Sequence, residues 1–174
     1  MAENEIEAKV LDVDRKELEQ KIEDLGAEKI FESHIESEFF DFPDGRIEEK
    51  GLLRLRKRED KTFITRKKEI SYEEAKETEE IEFDVGSREE ARKFLESLGL
   101  EKVHGSQKNR VKWVKDDTEF VIDKIPKIPP MLEIEAPTKK ELREGFEELG
   151  FSMDETVNWG AKKIREKHGE LEDI

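Results

Sequence analysis

Along much of this chain, charged and apolar residues alternate with period two. Glu5, Glu7 and Lys9 alternate with Ile6, Ala8 and Val10, Arg54 and Arg56 with Leu53 and Leu55, and Glu80 and Glu82 with Ile81 and Phe83. Lys108, Arg110 and Lys112 run against Val111 and Trp113, and Glu133 and Glu135 against Leu132 and Ile134. Successive strand side chains point to opposite faces, so each group predicts a strand with one charged face and one apolar face. Strands are expected over residues 5–13, 28–42, 52–58, 62–68, 79–85, 102–115, 118–124 and 131–136. Residues 52–68 read as a hairpin, residues 69–78 as a polar loop, and residues 125–130, with three prolines, as a stiff connection.

Three stretches carry the other period. Asp14-Arg15-Lys16-Glu17, Ser87-Arg88-Glu89-Glu90 and Thr138-Lys139-Lys140-Glu141 are capping boxes. Behind them lie the apolar stripes Leu18/Ile22/Leu25, Ala91/Phe94/Leu95/Leu98 and Leu142/Phe146/Leu149, stopped by Gly26, Gly99 and Gly150. A last helix is expected from near Ser152 through the Lys-rich tail. The order strand, helix, strands occurs twice, which suggests two related halves. No linker divides them, so residues 1–174 read as one domain. Amphipathic helices need apolar surface to cover, and the strands' apolar faces supply it. The charged faces are then left to line the inside of a rolled sheet.

Composition sharpens this picture. Charged residues make up 46% of the 174-residue chain and apolar residues 33%, a balance that suggests disorder until the apolar residues are seen to fall into stripes. With 33 basic and 47 acidic side chains the formal charge is −14, which opposes binding to nucleic acid or an anionic membrane. The basic stretch from Arg54 to Lys68 does not reverse that, because alternation splits its cations between two faces. Without cysteine there is neither a disulfide framework nor a thiolate metal site. No apolar run reaches membrane length and the N-terminus lacks a signal-peptide pattern, so a cytoplasmic protein is expected.

The charges are sorted by sign, strand by strand. An open sheet showing one face to water would not need this, although for any single strand a solvated face is ordinary. The acidic set is Glu5, Glu7, Glu80, Glu82, Asp123, Glu133 and Glu135; the basic set is Lys9, Arg54, Arg56, Lys67, Lys108 and Arg110. Carboxylates gathered in a cavity repel one another, and a hard divalent cation such as Mg²⁺ or Mn²⁺ relieves this through oxygen ligands. Arginine forks and lysine ammonium groups match phosphate oxygens. A polyanion and a metal ion would together neutralise both sets.

The ordered series Glu5-x-Glu7-x-Lys9, Phe39-Phe40-Asp41-Phe42-Pro43-Asp44, Leu53-Arg54-Leu55-Arg56, Thr65-Arg66-Lys67, Glu80-x-Glu82, Lys108-x-Arg110, Asp123 and Glu133-x-Glu135 resembles the CYTH superfamily, the triphosphate tunnel metalloenzymes. The likeness covers nearly the whole chain, and its spacing looks most like the class IV adenylyl cyclase branch. It implies an α+β fold, an eight-stranded antiparallel β-barrel tunnel with helices packed outside, spanning residues 1–174. It also implies Mg²⁺ or Mn²⁺ held by Glu5, Glu7, Asp123, Glu133 and Glu135, and phosphates held by Lys9, Arg54, Arg56, Lys67, Lys108 and Arg110. Lys67, Glu80 and Glu82 are expected to be catalytic, the two acids by orienting basic residues or the nucleophile. The implied substrate is a triphosphate such as ATP or tripolyphosphate, turned over as a cyclase or a hydrolase, and a homodimer would fit. A binding module without turnover would use the same charges. Lys9, among carboxylates, should stay protonated and so is not a base.

The chain departs from the family pattern at four places. Lys68-Glu69 stands where Gly-Pro is common, Thr156-Val157-Asn158-Trp159 replaces a Ser-Tyr pair, Thr78 or Glu79 replaces an Arg, and Leu52 replaces the Trp of animal thiamine triphosphatases. His34, His104 and His168 are unclustered and read as surface groups, the phenylalanines as core, and Trp159 as packing for the last helix.

Overall fold

The computed structural model describes residues 3–71 and 76–169. Eight strands run in chain order with four helices: β1 (Glu3–Val10), α1 (Arg15–Asp24), β2 (Glu28–Asp41), β3 (Gly51–Arg58), β4 (Lys61–Ser71), β5 (Lys76–Val85), α2 (Arg88–Ser97), β6 (Glu101–Lys115), β7 (Thr118–Lys124), β8 (Met131–Ala136), α3 (Lys139–Glu148) and α4 (Ala161–Lys167). The strands form a closed antiparallel barrel in the order β1-β5-β4-β3-β2-β6-β7-β8. Closure gives every strand two neighbours and removes exposed edges. Among the described residues no helix is long and apolar enough to cross a membrane.

The period-two pattern decides what faces where. Ala8, Val10, Val111, Trp113, Phe120, Ile122, Leu132 and Ile134 lie on the outer face, buried beneath Leu18 and Ile22 of α1 and Leu142, Phe146 and Leu149 of α3. All three predicted caps form: Asp14, Ser87 and Thr138 accept from the backbone N–H of Glu17, Glu90 and Glu141. Helix α2 covers its wall differently. Leu95 packs with Phe40 and Leu55, but Phe94 and Leu98 of the expected stripe stay 61% and 55% exposed. Ion pairs also tie this helix to the wall. Glu38 accepts from Arg92 at 2.7 Å and Arg88 at 3.2 Å, and Glu36 from Arg88 at 3.0 Å. The phenylalanines accordingly divide: Phe40, Phe120 and Phe146 are core, whereas Phe83 and Phe94 face solvent.

Three sequence expectations require correction. Residues 69–78 are not simply a loop, because β4 runs to Ser71 and β5 begins at Lys76. There the outward Glu77 and Glu79 are as polar as the inward Lys76 and Thr78, so alternation is hidden. The first strand ends at Val10 rather than residue 13. No continuous helix starts at Ser152 either. A 3-10 turn over Met153–Glu155 leads into an extended piece whose Val157 exchanges both backbone hydrogen bonds with Lys9, at 2.9 and 2.8 Å, before α4 begins. The β1–β5 ladder ends at Glu7 opposite Lys76, so Val157 occupies the edge of β1 that β5 leaves unpaired. Trp159 packs, as expected, with Ile125, Ile128, Met131 and Ile164 at the proline loop.

Asp41, in the aromatic-Asp segment, has a structural task. Its carboxylate accepts from the backbone N–H groups of Phe42, Ile47 and Glu48 at 2.7, 2.9 and 2.7 Å, tying down the β2–β3 loop. Gly51 opens β3 with φ +139°, and a Cβ there would collide with the Lys67 carbonyl oxygen. Only glycine lets β3 approach β4 here, at the rung next to the one that carries Lys67.

Candidate active site in the barrel interior

Several ion pairs join strands that are not neighbours, which requires them to cross the barrel interior. Arg110 on β6 reaches Glu133 on β8 at 2.7 Å, Lys67 on β4 reaches Glu7 on β1 at 3.9 Å, and Arg54 on β3 reaches Glu82 on β5 at 3.9 Å. The charged rows therefore converge on one hollow. Glu7, Lys9, Arg54, Arg56, Lys67, Arg110, Asp123 and Glu133 are all buried in it.

The acidic wall is built by β1 and β8. Register sets Glu7 opposite Glu135 and Lys9 opposite Glu133. Glu7, Glu133 and Glu135 each present a carboxylate oxygen, all within 4.8 Å of one another. Such a cluster of hard oxygens fits a divalent cation such as Mg²⁺ or Mn²⁺. Lys9 Nζ lies 3.0 Å from Glu7 and 2.8 Å from Glu133. Burial is the largest influence on the pKa of Glu7 and pushes it up, with Glu133 adding to that push, but Lys9, Lys67 and Lys76 together pull it down to about 2. For Lys9, burial works downward and is overcome by Glu133 and Glu7, so its pKa rises and the ammonium persists. The same contest leaves Glu133 well below the usual carboxylate range, with Lys9 and Arg110 as its main partners.

Asp123 is placed differently from the other metal candidates. Its oxygens accept from Arg110 Nε and Nη2, both at 2.7 Å, and from Lys108 Nζ at 2.5 Å. It thus anchors the basic row on β6. Glu5 lies on β1 opposite Thr78, and its side chain falls outside the described residues.

The basic wall draws on β3, β4 and β6. Burial, followed by the charges of Arg54 and Arg110, pushes the pKa of Arg56 well below its ordinary value. Arg56 Nε has no hydrogen-bond partner among the described residues. A buried cation crowded by cations marks a place where an anion would be stabilised. Lys108 is pushed down to about 8 by burial and Arg110, against the pull of Asp123. Glu80 lies 2.6 Å from Lys67, so it positions that ammonium. Glu82 accepts from the Thr65 hydroxyl at 2.7 Å and from Arg58 at 2.6 Å. Burial would raise its pKa, but Thr65 and Arg58 hold it below the usual range.

Sequence reading missed Lys76, which is buried with its Nζ 3.6 Å from Glu7, and Thr65 and Arg58, which hold Glu82. Counting back by twos from Glu82 through Glu80 and Thr78 would have reached Lys76. His104, expected at the surface, instead lies opposite Phe39, with ring centroids 4.2 Å apart and planes 14° from parallel. Phe39 also lies opposite Arg54, so both rings share the interior face. His34 is exposed as expected and bonds Asn109, whereas the half-buried His168 contacts Asp12 and the Ile164 carbonyl.

A curated protein of Methanocaldococcus jannaschii, named as a candidate adenylate cyclase, is 26% identical over 171 residues, covering 92% of this chain and 98% of its own. A solved structure from Pyrococcus horikoshii superposes with a TM-score of 0.78 at 26% identity, covering 92% of this chain and 98% of that one. A more distant one, a candidate adenylyl cyclase from Hippeastrum described as having a dominant triphosphatase activity, shares the fold with a TM-score of 0.65 at 16% identity over the full length of both chains. The model of the CYTH domain matches residues 3–172. With that match on the same barrel and the same charged rows, the chain belongs to the CYTH domain family.

Proposed function

We propose that this protein is a divalent-metal-dependent enzyme that acts on a triphosphate inside the barrel. The observation that carries this reading is the pairing of opposites across one hollow: Arg56, buried among cations, faces a wall where Glu7, Glu133 and Glu135 converge. Membership of the CYTH domain family and the names of the relatives support it.

In this reading Glu7, Glu133 and Glu135 hold the cation, and Glu5 and Asp123 complete or orient that shell. The bound cation would withdraw charge from the phosphate oxygens it shares. Arg54, Arg56, Lys67, Lys108 and Arg110 grip the phosphates, and positioning plus charge neutralisation supplies most of the rate. Lys9 keeps the carboxylates together as a permanent cation and takes no proton. Glu80 sets Lys67, and Glu82 sets Arg54 and Arg58. Attack by water on the terminal phosphorus releases orthophosphate; attack by a ribose 3′-hydroxyl on the α-phosphorus releases pyrophosphate and closes a cyclic nucleotide. Both begin from the same grip.

The test is incubation with ATP, thiamine triphosphate and tripolyphosphate, each with Mg²⁺ or Mn²⁺, with products identified by mass. Turnover is expected to need the metal, and Arg56→Ala or Glu133→Gln should lower it by at least about a hundred-fold. Metal-dependent binding without product would identify a binding module instead. Full activity in either variant would overturn the site.

A further inference from the structure

The inner row of β6 changes character along its length. From one end inward it reads His104, Ser106, Lys108, Arg110: a ring, a hydroxyl, then two cations. The facing row of β2 reads Phe39, Ser37, Ile35, with Phe39 opposite His104, Ser37 opposite Ser106 and Ile35 opposite Lys108. On the other side of β2, Phe39 lies opposite Arg54 and Ser37 opposite Arg56. The ring pair therefore adjoins the phosphate grip on two sides. A strand rises about 3.3 Å per residue, so the rings sit about 13 Å from Lys108 along the row. A register shift between Phe39 and Phe40 skips Val103, which is left 55% exposed while His104 keeps its inward place. Bulges of this kind re-aim side chains beside functional sites.

We propose that Phe39 and His104, with the hydroxyls of Ser37 and Ser106, form a nucleoside subsite that selects a triphosphate carrying a flat heterocyclic base and a sugar over bare tripolyphosphate. This inference rests on the proposed function and names its substrate class. The order ring, hydroxyl, cation along the wall matches the order base, sugar, phosphate along a nucleoside triphosphate. Both rings are only partly buried, and a stack of two rings accepts a third on an outer face. Phe63 also points inward, opposite Arg56, but the Arg58 guanidinium already lies 3.9 Å over its ring. Stacking tolerates any base, so the subsite distinguishes nucleotide from inorganic polyphosphate rather than one base from another.

The test compares kcat/KM for ATP with kcat/KM for tripolyphosphate, both with Mg²⁺, in the wild type, Phe39→Leu, Phe39→Tyr and His104→Ala. Loss of a ring should lower the ratio of ATP to tripolyphosphate by about ten-fold or more through KM for ATP, whereas Phe39→Tyr, which keeps the ring, should retain it. Phe39→Leu keeps an apolar side chain at a partly buried position, so a folded protein remains to be measured. A ratio unchanged within two-fold in both ring-loss variants overturns the subsite. So does a wild type that processes tripolyphosphate but neither binds nor turns over ATP, and that result leaves the proposed function standing. If the wild type neither binds nor processes either compound, the proposed function fails and the subsite with it.

Discussion

The two walls of the barrel interior handle buried charge in opposite ways. On the β1–β8 wall an ammonium sits between carboxylates, and attraction from Lys9 and other cations overrides the desolvation penalty, holding Glu7 near 2. On the basic wall, Arg56 has Arg54 and Arg110 for company, and repulsion adds to desolvation. The first wall is electrostatically settled by the protein itself. The second gains most from a ligand. A fold shaped only for stability would not keep Arg56 buried in this way, and under the proposed function Arg56 is where the substrate's charge is taken up.

Removing a charge from each wall should break that contrast most sharply. Glu133→Gln takes a partner from both Lys9 and Arg110 and should cost about 3–5 kcal/mol in urea unfolding. Arg56→Met removes a cation crowded by its own kind, and should leave the unfolding midpoint unchanged or raised while tripolyphosphate binding is lost. Equal destabilisation by the two would refute the comparison.

Alkaline pH should separate the walls next. Lys108, at about 8 when folded, loses its proton as pH rises through that value, while Lys9 keeps its own well beyond it. Tripolyphosphate affinity should therefore fall above pH 8, and Lys108→Arg should carry it to higher pH. Glu7, at about 2, stays ionised down to strongly acid pH, so no matching loss is expected on the acidic wall until then.

Backbone supports come below these. Gly51→Ala would push on the Lys67 carbonyl in a conformation that L-residues avoid, at a cost of about 1–3 kcal/mol and with a shift of Lys67 seen as reduced kcat. Asp41→Ala should cost a similar 1–3 kcal/mol, roughly, by stranding three loop amides, with little change in metal dependence. The smallest effect is expected at His168. The Ile164 carbonyl and then Asp12 raise its pKa, so its contribution is complete below the unfolded value, about 6.5, and is lost as pH rises through the folded one. Asp12→Asn should lower that pKa in an NMR titration, with little change in Tm.

Much of the architecture was legible because alternation and capping are local. Arg54/Arg56 and Glu133/Glu135 announced their strands, and Asp14, Ser87 and Thr138 announced their helices. Lys76 was illegible because both faces of early β5 are polar, and the Val157 pairing because its bonds are made by backbone, which carries no side-chain signature. His104 looked isolated because its neighbour Phe39 lies 65 positions away in the chain.

By itself the sequence determined which residues share a face on most strands, where the first three helices begin and stop, and where most of the acids and bases of the interior rows fall. Tertiary structure decided who meets whom: Lys9 between Glu7 and Glu133, Asp123 joined to Lys108 and Arg110 rather than to the three clustered carboxylates, and Phe39 against His104. The reason is geometric. Side-chain period is a property of one strand, whereas contact between strands depends on register and on how the barrel closes, and those are settled only when all eight strands pair together.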